Sequence, residues 1–363
     1  MSSSNNADPS TTVLVVDDST FMRRMISDMI SRFPGYEVIG TAGDGKEALS
    51  AIERLDPDLV TLDIEMPRLD GFGVLERVMA SVPRRFVVLS AYTAEGSRSA
   101  LRALDLGAVE LVAKPSGPIS FDVGRVESKL YQALEAAREA DIAALLRQRS
   151  IERATPVKAP DLAGDGVVAI AASTGGPRAL NYIVSSLPAD LGAAVLVVQH
   201  MPPGFTATLA ARLDEMAPLS VAEARGGEII VPNHVWLAPG DFHMRVRCDE
   251  RSARIVLDQR ALIWGTRPAA DALFTSLADT FGRHTVGVVL TGMGRDGSAG
   301  LAAIRAAGGR TLAQDRESCV VYGMPARAVE SGAVERSVPL SALPAAIVDS
   351  LASLSRTGVE RPA

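Results

Sequence analysis

Short apolar runs alternate with longer segments of helical spacing along most of the chain. Residues 11–16 form a β-branched apolar run, and residues 19–32 then place Phe21, Met25, Met29 and Ile30 on one side of a helix. Residues 36–41, 59–64, 86–90 and 109–113 are further strand candidates, separated by segments rich in Ala, Leu, Glu and Arg. Repeated switching between the two periods predicts βαβ units around a parallel sheet. Five such runs within about 115 residues predict a flavodoxin-like doubly wound domain.

Residues 125–153 continue as one long, charged, amphipathic helix. Residues 154–166 contain Pro156, Pro160, Gly164 and Gly166 and have no apolar period, which predicts a linker. The alternation resumes at Val167. Residues 167–172, 193–199 and 285–291 are near-continuous apolar runs, as expected of strands buried on both faces. Residues 228–238 and 253–258 predict shorter, partly antiparallel strands. The expected organisation is a first domain over 11–125, a helix and linker over 126–165, and a second doubly wound, mostly parallel α/β domain with a short antiparallel part over 166–355.

Composition narrows the class. A chain of 363 residues is long enough for two domains at about 100–200 residues each. The formal charge of -6, with no basic run, argues against nucleic-acid binding. Cys248 and Cys319 are far apart and suit a reducing cytoplasm. The N-terminal stretch lacks the basic-then-apolar pattern of a signal peptide. Apolar runs fall well short of the ~18 residues of a membrane span, so no membrane insertion is expected.

The first domain predicts an acidic pocket. Asp17 and Asp18 follow the first strand, and Asp63 closes the third. Parallel strands expose their carboxyl ends on one edge, where ligands bind. Three carboxylates there repel unless a hard cation joins them, and Mg²⁺ suits such an oxygen-lined, partly open pocket. Ser90 ends the fourth strand, and Lys114, followed by Pro115, ends the fifth. Together these groups suit the placing and charge-balancing of a phosphoryl group on Asp63. Acidic residues after strands are often mere helix caps, but a cap does not explain all five residues at successive strand ends.

Residues 11–115 resemble a two-component receiver domain, through VVDDS at 15–19, LDIEMPRLDG at 62–71, LSA at 89–91 and KP at 114–115. The resemblance implies Asp63 as phosphoacceptor, Asp17 and Asp18 as further magnesium ligands, Ser90 as switch hydroxyl and Lys114 as phosphate contact. Leu111 stands where many receivers carry an aromatic switch residue.

The second domain contains no lysine, since Lys158 is the last in the chain, so a serine–lysine dyad within it is excluded. The run 167–172 delivers Ser173-Thr174-Gly175-Gly176 to the start of a helix-like segment. Glycines there allow backbone N–H groups to approach an oxyanion, or equally a nucleotide phosphate. His200 ends the run 193–199 at the same edge. His284 precedes the run 285–291 and so lies at the opposite edge, while His234 and His243 fall in an irregular middle segment. Asp296 sits on a glycine-rich loop after 285–291. Topology thus gathers Ser173, His200 and Asp296, the set in which a histidine activates a hydroxyl and a carboxylate fixes its tautomer. Read singly, each is a helix cap, a satisfied polar group or a turn residue.

Residues 167–349 resemble the catalytic domain of the protein-glutamate methylesterases of bacterial chemotaxis. The matching stretches are ASTGGPRAL from Ala172, VVQHMPPGFT from Val197, LAPGDFH from Leu237, LTGMGRDG from Leu290, and AQDRES with VYGMP between Ala313 and Pro325. The resemblance implies Ser173 as nucleophile, His200 as base, Asp296 as its partner, and the N–H groups of Thr174 and Met293 as oxyanion hole. It further implies a histidine kinase as phosphodonor, methyl-accepting chemotaxis receptors as substrate, deamidation of receptor glutamines, and no organic cofactor. Arg316 is a departure, because an acidic residue is common there. Two rival readings are a phosphorylation-controlled binding protein without chemistry, against which the intact Ser, His and Asp set argues, and a receiver joined to DNA binding, which neither charge nor pattern supports.

Overall fold

The computed structural model describes residues 10–91, 93–114, 123–150, 157, 166–249 and 252–356. Pro115 and all of the expected linker except Val157 and Gly166 lie outside the described residues. The chain divides into two units, Met1–Ile142 and Ala143–Ala363.

The first unit runs β1 (Thr11–Val16), α1 (Thr20–Ile30), β2 (Tyr36–Ala42), α2 (Gly45–Leu55), β3 (Leu59–Asp63), α3 (Gly71–Ser81), β4 (Arg85–Ser90), α4 (Ala94–Leu106), β5 (Glu110–Ala113) and α5 (Val123–Glu139). All strands are parallel, in the order β2-β1-β3-β4-β5. Residues Val13 to Val16 are wholly buried, as a strand covered by helices on both faces requires. The chain order reverses between β1 and β3, and the open crevice of a doubly wound sheet lies at that switch point. Val16 pairs with Leu62, so the next residues, Asp17 and Asp63, emerge side by side.

The expected single helix over 125–153 is two helices, α5 and α6 (Ile142–Ser150). Ala140 N–H turns back to Ala137 O at 3.3 Å and tightens the last turn of α5. The apolar stripe runs through the break, which hid it in the sequence, but its two parts serve different cores. Leu130 and Leu134 are buried in the first unit, Ala144 and Leu145 in the second. Within the second unit, Arg147 Nη2 and Gln148 Nε2 on α6 donate to Glu317 O (2.9 Å) and Ser318 O (2.8 Å).

The second unit continues with β6 (Gly166–Ala172), α7 (Gly176–Ser186), β7 (Ala193–Gln199), α8 (Phe205–Met216), β8 (Ser220–Glu223), β9 (His234–Leu237), β10 (His243–Cys248), β11 (Ala253–Asp258), α9 (Ala270–Phe281), β12 (Thr285–Val289), α10 (Ser298–Ala306), β13 (Arg310–Gln314), α11 (Met324–Glu330), β14 (Arg336–Val338) and α12 (Leu343–Arg356). Seven parallel strands lie in the order β14-β13-β12-β6-β7-β9-β8, and β10 and β11 form a separate antiparallel pair. The switch point falls between β6 and β12.

Residues 228–238 do not form one antiparallel strand. Pro232 and Asn233 (φ 62°) turn the chain, and β9 then joins the main sheet parallel to β7 and β8. Only Ile229 makes an antiparallel bridge, to Arg254. His234 and His243 are therefore not in irregular chain. They open β9 and β10.

Candidate functional site

The acidic pocket of the first unit is assembled by strand register. Ligand oxygens of Asp17, Asp18 and Asp63 all lie within 4.8 Å of one another. Lys114, just past β5, puts Nζ 2.8 Å from Asp17 Oδ2 and 2.7 Å from Asp63 Oδ2. Burial pushes the Asp63 carboxyl above the usual carboxylate range; Lys114 opposes the shift and the charge of Asp17 adds to it. Burial works against the Lys114 ammonium, but its bonds to Asp17 and Asp63 raise its pKa overall. One ammonium cannot neutralise three carboxylates. A set of hard oxygen donors with uncompensated charge fits Mg²⁺. Ser90 is buried at the end of β4 and donates to Gly96 O at 2.8 Å, in the first turn of α4. Leu111 is an aliphatic core residue, 6% exposed.

The second site sits at the β6/β12 switch point. Ala172 pairs with Gln199 across β6 and β7, so Ser173 and His200 are the next residues in register. His200 N–H continues the ladder to Ala172 O at 3.0 Å, and Ser173 N–H donates to Thr291 O at 3.0 Å. Ser173 is not a helix cap. The cap of α7 is Gly175, at φ 77°, with no side-chain hydrogen bond. The chain therefore turns into the helix through a backbone geometry that glycine adopts freely, and leaves the Ser173 hydroxyl unused as a cap.

His200 Nε2 lies 2.8 Å from Asp296 Oδ2. Asp296 also accepts from Ala270 N (2.6 Å, Oδ2) and from Asp271 N and Gly297 N (both 3.0 Å, Oδ1). Burial alone would raise its pKa, but the His200 bond and charge, followed by the N–H groups of Asp271 and Ala270, outweigh it and hold the carboxyl below its usual range. An anion is thus kept beside the imidazole. Thr174 is buried directly after Ser173, and Met293 lies half-buried on the loop after β12. His284 ends a short 3-10 turn at the opposite edge, His243 Nε2 pairs with Ala261 O at 3.0 Å, and the His234 ring lies 4.0 Å from that of Trp236.

A family model described as CheB methylesterase matches residues 168–347, and one described as response regulator receiver domain matches 13–121. The protein-glutamate methylesterase/protein-glutamine glutaminase 1 of Syntrophomonas wolfei is 46% identical over 341 residues, covering 92% of this chain and 97% of that protein. The chain belongs to the CheB methylesterase family. The protein-glutamate methylesterase/protein-glutamine glutaminase of Symbiobacterium thermophilum is 45% identical over 348 residues, with 92% and 95% covered. Among solved structures, the CheB methylesterase catalytic domain of Thermotoga maritima is 41% identical and matches with a TM-score of 0.50, over 51% of this chain and 97% of that one.

Several residues of this CheB methylesterase fold that sequence reasoning passed over support the site. Gln199 Nε2 donates to Ser173 O (3.0 Å) and His200 O (3.2 Å). Thr291 Oγ1 donates to Thr174 O (3.0 Å) and accepts from Val321 N (3.0 Å), tying three loops together. Asp271 accepts from Gly300 N (2.7 Å) and Trp264 Nε1 (2.8 Å); burial raises its pKa against those bonds. At Gly292 a Cβ would stand 2.5 Å from Ser173 Cβ and 2.7 Å from Met324 Sδ, so no side chain fits behind the serine. The glycines of the LTGMGRDG stretch were a visible signal for that close approach. Gln199, Thr291 and Asp271 offered none, because a polar residue at a strand end or in a helix is common without such a task. Arg316 lies over the Tyr322 ring at 4.4 Å.

Proposed function

We propose that this chain is a protein-glutamate methylesterase that hydrolyses glutamate γ-methyl esters on methyl-accepting chemotaxis receptors, releases methanol, deamidates receptor glutamines, and is activated by phosphorylation of its receiver domain. The observation that carries the reading is the 2.8 Å contact between His200 and Asp296 beside Ser173. With Nε2 committed to Asp296, Nδ1 is the nitrogen that takes the proton of Ser173 Oγ as the hydroxyl attacks the ester carbonyl. The N–H groups of Thr174 and Met293 hold the oxyanion. His200 then gives the proton to the leaving methoxide oxygen, or to a glutamine's amide nitrogen, which departs as ammonia, and a water repeats the cycle on the acyl-enzyme. No organic cofactor enters these steps.

In the receiver, Asp63 is the phosphoacceptor. Asp17, Asp18 and Asp63 would hold Mg²⁺, whose charge screens the incoming phosphoryl group. Lys114 contacts the phosphoryl oxygens, and Ser90 exchanges Gly96 O for one of them. The phosphodonor is the chemotaxis histidine kinase. The receiver spans 11–125, the rest of α5 with α6 and the linker 126–165, and the hydrolytic domain 166–355. No helix among the described residues is long and apolar enough to cross a membrane. The reading implies a cytoplasmic enzyme that acts on the receptors' inner portion, with no nucleic-acid partner and no membrane insertion.

The test is methanol release from membranes carrying methylated receptors, by the full chain, with Mg²⁺ and with or without a small-molecule phosphodonor. Release that rises with phosphorylation is expected. Absence of methanol overturns the activity, and equal rates overturn the control.

A further inference from the structure

Among the described residues, two arginines on the loops around the site have no counter-charge. Arg295, immediately before Asp296, lays its guanidinium over the Trp264 ring, 4.6 Å from the centroid. Arg316, on the loop after β13, does the same over Tyr322 at 4.4 Å. Both arginines are exposed. Among the described residues, neither guanidinium has a hydrogen bond or a carboxylate partner. Three arginines of the unit are paired instead: Arg245 with Asp258, Arg267 with Asp241 and Arg310 with Glu335, at 2.8–3.0 Å. Asp315, next to Arg316, turns its carboxylate back onto Ser318 N (3.0 Å) and Oγ (2.6 Å).

Both rings are fixed to the frame of the site. Trp264 is 53% exposed, yet its Nε1 is held by Asp271, whose own N–H donates to Asp296. Tyr322 bridges in parallel to Gly292, the residue packed behind Ser173. A guanidinium stacked by its face keeps its N–H edges free and already oriented, so less rotamer entropy is lost when it meets a carboxylate bidentately. The reacting ester is neutral and offers these cations nothing. The anions they suit must come from side chains near it.

We infer that Arg295 and Arg316 bind acidic side chains flanking the scissile ester, one on the Asp296 side and one on the Gly292 side, and so select esters embedded in an acidic segment. The inference rests on the proposed esterase activity for its setting, but binding reads it independently.

The test uses the full chain and two synthetic peptides of one sequence, each with a single glutamate γ-methyl ester. Glutamates flank the ester in one peptide and glutamines in the other. Fluorescence anisotropy gives Kd, and methanol release gives kcat/KM. Wild type should favour the acidic peptide by about tenfold at low ionic strength, and the preference should shrink as salt is added. Arg295→Gln and Arg316→Gln should each cut the ratio about threefold, and the double variant should abolish it. Wild type treating both peptides alike overturns the inference without any variant, and so does a double variant that keeps the full preference. A binding preference without methanol from either peptide would remove the esterase reading and leave this one standing.

Discussion

His200 Nε2 and Asp296 Oδ2 meet at 2.8 Å across 96 residues of sequence, and the carboxylate that receives the ring is itself held by three backbone N–H groups. Each carboxylate oxygen faces donors only. Replacing one oxygen by an amide NH₂ therefore sets donor against donor in either orientation. Asp296→Asn should lower kcat by about 10³-fold or more, as loss of the tautomer-fixing carboxylate does in other triads. His200→Gln should be as damaging, whereas His284→Gln, at the far edge, should stay within about twofold. The reverse ranking in a methanol-release assay would overturn the assignment.

The same carboxylate links stability to pH. Its folded pKa lies below the ordinary range, so its contribution is fully present above the unfolded value and is lost as pH falls through the folded one. Asp296→Asn should cost about 1–3 kcal/mol at pH 7, the penalty of unsatisfied buried donors. Thermal melts of both proteins across the acid range should show the gap narrowing below about pH 4, the ordinary aspartate value. A gap independent of pH would show that the charge of Asp296 is not what the fold uses.

Ser173 makes no side-chain cap for α7, so its hydroxyl is dispensable to the fold. Ser173→Ala should melt within about 0.5 kcal/mol of wild type and lose most methanol release, with residual turnover from the oxyanion donors. Near wild-type turnover would remove Ser173 as nucleophile.

Asp63→Asn keeps the shape of the receiver pocket and removes the nucleophilic oxygen. With Mg²⁺ and a labelled phosphodonor, wild type should acquire a label lost in base and in hydroxylamine. The variant should acquire none, and undiminished labelling there would move the phosphoacceptor elsewhere.

Where strands are buried on both faces, the sequence announced them: β6, β7 and β12 follow runs with hardly a polar interruption. The short strands β8, β13 and β14 were not legible. They lie at or toward the sheet's edges and carry residues such as Arg310, Gln314 and Arg336, and Gln314 is buried there because its Oε1 accepts from Thr291 N at 2.9 Å. The break between α5 and α6 escaped because one amphipathic period crosses it. Ser173, His200 and Asp296 could be gathered from topology, since parallel strands present their carboxyl ends together. Asp271 and Trp264 could not, because their pairing joins a loop to the first turn of α9, and no periodicity encodes that.

The switch-point geometry also bears on the life of the newly made chain. Ser173 and His200 leave the ribosome early and close together, but the carboxylate they need arrives 96 residues after His200. The strand that precedes it, β12, must first add to β6 on the side away from β7, where β13 later pairs with it. On the proposed chemistry, a nascent or truncated chain ending before β12 holds a serine and a histidine with no esterase activity. Hydrolysis therefore waits until β12 has joined β6, so turnover doubles as a signal that the centre of the sheet has closed.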